Sequence, residues 1–119
     1  MVARQVLRHW QGVTPPLLSS FSPVSLAAAR DEARELPRAL LVGDVPVDWR
    51  EQIDRLDCFA LHCHYRAATQ AFLAHAAAHA RPVLCYTVNR AALARKLQSL
   101  GVSALVTDRL DLIPPAAAL

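Results

Sequence analysis

Five short apolar runs, each ending in polar residues, alternate along this chain with segments of helical period. They occupy residues 17–21, 39–43, 59–62, 83–88 and 104–108. Strand alternating with helix implies a parallel sheet with helices packed outside it. In that class ligands sit beyond the carboxyl ends of the strands. The polar tails of the five runs are therefore where chemistry is expected.

Length limits how much of such a sheet one chain can build. The 119 residues suffice for a single core, but a full eight-stranded α/β barrel takes roughly 250 residues. A hydrophobic content of 54% against 19% charged residues marks a folded, soluble chain and not a disordered one. The formal charge of +3 comes from basic residues spread along the sequence. Without clustering or interleaved aromatics, this is no nucleic-acid footprint. Only Gly12, Gly43 and Gly101 are available to shape a phosphate loop, which counts against nucleotides.

Cys58, Cys63 and Cys85 are odd in number and lack Cys-x-x-Cys spacing. They read as reduced thiols in the core or lining the barrel, and so as a sign of a cytoplasmic protein. Arg4 and Arg8 near the amino terminus, with no apolar h-region, argue against a signal peptide. The uncharged alanine-rich stretch, residues 67–80, contains His75 and His79 and is too short and polar to span a bilayer.

Periodicity places the helices. Residues 2–11 form one, with Val6, Leu7 and Trp10 on a shared face. Ser22 and Pro23 open a second as N-cap and first helical residue; Leu26, Ala29, Ala33 and Leu36 are its stripe, and Pro37 its end. A third starts at Pro46 or Val47, with Trp49, Ile53 and Leu56 at i, i+4 and i+7. Thr69 caps a fourth, whose apolar face is Phe72, Leu73, Ala76 and Ala77. Asn89 is placed to cap a fifth, with Leu93, Leu97 and Leu100 buried and Gly101 in a left-handed C-cap. One domain is expected over residues 1–113, with residues 114–119 a frayed tail.

The strand ends offer several candidates. His62 and His64 are spaced to share a strand face, as in some zinc sites, but no further ligands stand at matching spacing. The plainer reading puts one histidine at the site mouth and the other in the loop. Ser20 has no nucleophile-elbow context; it is either a hydrogen-bonding group at a ligand mouth or a strand-to-helix turn residue. Tyr86 is either an aromatic wall for a ligand or core filling. Asn89 reads as a helix cap before it reads as a catalytic group. Asp108 is a site carboxylate or a loop residue paired with Arg109.

Taken in order, these runs resemble a known family. Leu17-Leu18-Ser19-Ser20-Phe21-Ser22, Leu61-His62-Cys63, Val83-Leu84-Cys85-Tyr86-Thr87-Val88-Asn89 and Ala104-Leu105-Val106-Thr107-Asp108-Arg109 resemble the carboxyl-terminal half of bacterial glycerophosphodiester phosphodiesterases. The S-S-F, Y-T-V-N and T-D-R runs carry most of the likeness, which extends from Val2 to Ile113. Leu110 stands where the family usually has proline.

The resemblance implies a partial (β/α)₈ TIM-type barrel of about five parallel strands with flanking helices; a small doubly wound α/β sandwich is the alternative. It also implies a hydrolase of glycerophosphodiesters, yielding glycerol 3-phosphate and an alcohol. Family catalysis uses Mg²⁺ or Ca²⁺ held by carboxylates and two histidines as acid and base, chemistry suited to an anionic diester. The family's H-R-G, E-x-D, H-D and E-x-K strand ends precede S-S-F, and none occurs here. The expectation is therefore no catalytic residue, no metal ligand and no cofactor within this chain. Ser20, Phe21, His62 and Tyr86 are expected to line the substrate mouth.

Three readings follow from this. The chain is the distal half of such a barrel, inactive alone, arising by truncation, an internal start or a split gene. Alternatively it is a non-catalytic α/β module that binds a small phosphorylated ligand. The third is a purely structural subunit. Open strand edges favour a homodimer or a complementary half barrel as partner.

Overall fold

A computed structural model of the chain describes residues 2–12 and 14–114. The expected frayed tail lies, from residue 115 on, outside the described residues. In chain order the elements are α1 (Val2–His9), β1 (Leu18–Ser20), α2 (Pro23–Glu32), β2 (Arg38–Val42), α3 (Trp49–Leu56), β3 (Ala60–His64), α4 (Gln70–Ala78), β4 (Val83–Tyr86), α5 (Ala91–Ser99) and β5 (Ala104–Leu105). A single 3₁₀ turn, Tyr65–Ala67, follows β3.

Five parallel strands form one sheet in the order β1-β2-β3-β4-β5. Leu18 is in register with Arg38 and Ser20 with Leu40; Leu84 is in register with Ala104 and Cys85 with Leu105. A doubly wound sheet reverses its strand order at a switch point. This sheet does not reverse, and a helix joins each strand to the next. That is the progression of a (β/α)₈ barrel carried over five strands, and it sets aside the sandwich alternative. The chain divides into two compact units, Met1–Leu41 with Pro46–Leu61, and Val42–Val45 with His62–Leu119.

In the first unit the helix-opening signals act as the sequence implies. Ser22 accepts a hydrogen bond from Ser25 N (3.1 Å), and Pro23 begins α2. Ala3, Ala33 and Leu36 are buried together, with Val6, Leu7, Leu18 and Ala29 packed against them. Trp49, Ile53 and Leu56 are the buried stripe of α3. Three helix boundaries differ from expectation. Helix α1 ends at His9 and not at residue 11. Helix α3 starts at Trp49, because Pro46–Asp48 form a turn closed by Trp49 N to Pro46 O (3.1 Å), with Val47 fully in solvent. Helix α2 stops at Glu32 and not at Pro37, since Ala33 leaves helical space (φ −152°, ψ 71°).

The early stop of α2 has a partner elsewhere in the unit. Arg38, on β2, is only 2% exposed. Its Nη1 donates to Leu36 O (2.8 Å) and Arg34 O (3.3 Å), carbonyls in the turn that replaces the end of α2. Its Nη2 donates to Asp57 O (2.8 Å) and lies 3.4 Å from Asp57 Oδ2. Asp57 is the left-handed C-cap of α3 (φ 52°). One buried guanidinium thus ties off two helix ends, and burial is tolerable because its charge meets acceptors on both sides.

In the second unit Thr69 caps α4, accepting from Phe72 N at 3.2 Å. Leu73 and Ala76 are buried, Phe72 is half-buried, and Ala77 faces solvent, contrary to the expected stripe. Helix α5 buries Ala94 and Leu97, with Leu93 and Leu100 only partly covered. Gly101 has φ +103°, which a side chain would strain, and Val102 N returns to Leu97 O (3.0 Å). Parallel pairing runs one residue past β5, through Val106 N to Cys85 O and Val88 N to Val106 O, both 2.8 Å.

Candidate functional site

Alternation along β3 decides what its carboxyl end presents. His62 and His64 fall on one face and Cys63 on the other. Both histidines therefore belong to the strand; the expectation that one lies in the loop is not met. His64 N reaches Gly43 O (3.4 Å), so pairing holds the strand through His64. On the buried face Cys63 meets Cys85 of β4. The hydrogen bond to Cys63, reinforced by burial, pushes the Cys85 thiol far up, so it is a neutral core group. Cys58 is buried as well.

Tyr86, the last residue of β4, unites the polar face. Its ring is met edge-on by His62 (centroids 5.2 Å apart, 76° between planes) and by His64 (5.7 Å, 80°). Its hydroxyl donates to Val42 O (2.9 Å) at the end of β2. Burial raises the phenol above its ordinary value, with Cys63 and Asp44 adding to the rise. Tyr86 is thus a neutral phenol whose one proton is committed to Val42 O and whose ring is oriented by the two histidines. The two readings of it resolve as a half-buried ring held at the strand ends.

The histidines differ in their settings. Burial lowers the pKa of His62, so its ring is neutral at neutral pH. The Nδ1 of His64 accepts from Arg66 N (3.1 Å). That leaves the proton of the neutral ring on Nε2. His64 also stacks on Tyr65 (4.5 Å, 30°), and the Arg66 guanidinium sits 5.8 Å from the Tyr65 ring centre.

Beyond β4 and β5 a second polar group closes the strand ends. Asn89 does not cap α5; the N-cap is Arg90, without a side-chain bond. Asn89 Oδ1 instead accepts from Thr107 Oγ1 (3.1 Å) and Asp108 N (2.9 Å), and Thr107 Oγ1 accepts from Arg109 N (3.0 Å). Arg109 does not pair with Asp108. It holds Asp111 through two bonds of 3.0 and 2.9 Å, which raise the Arg109 pKa and lower that of Asp111. The bonds recorded for Asp108 and Arg109 are thus local clamps.

In the first unit, Ser20 Oγ accepts from Ser22 N (3.0 Å), the geometry of a strand-to-helix turn residue. Phe21 follows it and is 62% exposed. An exposed phenylalanine at a strand's carboxyl end is available as an apolar contact. Of the four residues expected at the mouth, His62 and Tyr86 are brought together. His64 joins them, and extending the strand pattern by two residues past His62 reveals it.

The Nε2–H of His64 can donate a hydrogen bond to an anionic or polyol ligand, beside the rings of His62 and Tyr86. They do not fit a hard divalent cation, which takes six or more oxygen ligands. Among the described residues no group of three or more His, Cys, Asp or Glu is placed to hold a metal ion. Nor, among those residues, is any helix long and apolar enough to cross a membrane.

Comparison with known proteins identifies the family and the fold. Residues 3–112 match the glycerophosphoryl diester phosphodiesterase family. The chain is similar to a solved phosphodiesterase from Oleispira antarctica, determined with its product sn-glycerol-3-phosphate. They share 33% identity and a TM-score of 0.83 over 87% of this chain and 42% of that one. It shares its fold with a glycerophosphodiester phosphodiesterase from Thermotoga maritima (17% identity, TM-score 0.72, 92% of this chain and 50% of that one). A third similar fold is the enzyme from Parabacteroides distasonis (17%, 0.65, 78% and 39%). The chain therefore spans half or less of the length of these proteins. No curated protein matches it. On the match over residues 3–112, this chain belongs to the glycerophosphoryl diester phosphodiesterase family.

Proposed function

We propose that this chain contributes the substrate-facing wall of a glycerophosphodiester phosphodiesterase, whose reaction yields glycerol 3-phosphate and an alcohol. The observation that carries the reading is the convergence of His62 and His64 on the Tyr86 ring at the strand ends. In this fold class that end of the sheet is where ligands bind. The product bound by the Oleispira protein supports glycerol 3-phosphate as the ligand class. The neutral His62 ring and the Nε2–H of His64 suit the polyol and phosphate oxygens, with the Tyr86 ring behind them.

The acid–base and metal-binding groups of the reaction lie outside this chain in our reading. Its motifs lack the family's H-R-G, E-x-D, H-D and E-x-K strand ends, and its strand-end donors suit hydrogen bonding better than a hard cation. A homodimer or a complementary half barrel would cover the edge strands, and the cytoplasm is the compartment that reduced thiols suit.

The test is an assay of the isolated chain with glycerophosphocholine and either Mg²⁺ or Ca²⁺, reading release of glycerol 3-phosphate. We expect no turnover above the buffer rate. Turnover with either cation, lost on Tyr86→Ala, would overturn the assignment of catalysis to groups outside the chain.

A further inference from the structure

A second pair of histidines stands on α4, independent of the phosphodiesterase reading. His75 and His79 are four residues apart and so share one face of the helix. Their Nε2 atoms lie 3.1 Å apart at an exposed position. Their ring centroids are 4.7 Å apart, with 69° between planes.

The two rings share a bent hydrogen bond, and the same distances match a chelate. Two imidazoles binding one ion at about 2.05 Å each, with both lone pairs aimed at it, would hold their nitrogens about 3.1 Å apart at an angle of about 98°. Their ring centres would then be about 4.8 Å apart. A linear N–H···N bond of the same length, running along both ring axes, would separate the centres by about 5.4 Å. The observed 4.7 Å falls on the chelate side. The angle lies between octahedral and tetrahedral values, so several metal geometries are open to it.

The setting favours a cation. His75 is in the last turn of α4 and His79 is its C-cap. The last carbonyls of a helix carry partial negative charge that stabilises a positive ion placed there. Imidazole nitrogens select borderline transition metals and not the hard cations that oxygen ligands take. The bond between the two Nε2 atoms needs a proton on one of them; metal loading moves that proton to Nδ1 of the same ring, which frees both Nε2 lone pairs for the ion.

We propose that His75 and His79 form a two-imidazole chelate for a borderline divalent transition-metal ion at the carboxyl end of α4. Isothermal titration of the full chain with Ni²⁺ at pH 7.5 tests it, Ni²⁺ being chosen because it does not oxidise thiols. The expected result is one Ni²⁺ per chain, with affinity at least tenfold weaker in His75→Ala and again in His79→Ala. His62→Ala should leave the affinity within twofold. Circular dichroism checks that each variant keeps its helix content. Absent binding, single variants that stay within twofold of the parent, or loss of binding in His62→Ala would each overturn the chelate.

Discussion

Arg38 and Tyr86 are both polar residues drawn into strands, and they spend their polarity in opposite directions. Arg38, in the first unit, turns its guanidinium inward to the carbonyls of Arg34, Leu36 and Asp57. Its work is to join helix ends, and the side chain is closed to solvent. Tyr86, in the second unit, commits its hydroxyl to one carbonyl, Val42 O, and gives its ring to two histidines at the strand ends. The first arrangement fixes a fold. The second holds a surface of rings in place while leaving that surface half-buried. Both side chains give their protons to main-chain carbonyls, but only Tyr86 also gathers rings at the carboxyl edge of the sheet, which is why the functional proposal rests on it.

The contrast can be broken from either side. The largest effect is expected at Arg38. Arg38→Met removes the donors to Leu36 O and Asp57 O, and each buried acceptor left unpaired costs about 1–3 kcal/mol. We expect a loss of about 2–4 kcal/mol in urea unfolding, with the affinity of the remaining folded protein for glycerol 3-phosphate unchanged. A loss under 1 kcal/mol would show that water replaces the guanidinium readily.

A smaller effect, confined to acid, is expected at His62. Its folded pKa lies below the unfolded value because burial disfavours the charged ring. The unfolded chain thus binds the proton more readily. The stability of the folded state is full above pH ~6.5 and falls as the pH drops through the window below that value. Thermal unfolding of the parent and of His62→Gln at pH 7.5 and 5.0 reads the difference. The parent should lose more of its Tm between the two pH values than the variant does. Equal losses would show that His62 is not buried as described.

Local signals in the sequence carried far. The alternation of runs specified a parallel sheet with helical crossovers, while the strand order, which separates a barrel from a doubly wound sandwich, came from the resemblance and then from the sheet itself. Ser22 with Pro23, Thr69 and Gly101 fixed helix ends through contacts within four or five residues. What escaped notice depends on residues distant in sequence. The stop of α2 at Glu32 goes with the guanidinium of Arg38, which in turn needs Asp57. Asn89 looks like a cap until Thr107 and Asp108 arrive on the adjoining strand end to claim its Oδ1. His64 reads as loop until Gly43 supplies the acceptor that prolongs β3. The site was half legible for the same reason: His62 and Tyr86 were visible as strand-end residues, but their meeting across strands was not.

The most direct test of the account follows side-chain signals by NMR as sn-glycerol 3-phosphate is added to the full chain. The account predicts saturable shifts at His62, His64 and Tyr86, with the Arg38 and Trp49 signals unmoved. Saturating shifts confined to other residues, or no saturable shift at those three rings, would contradict it.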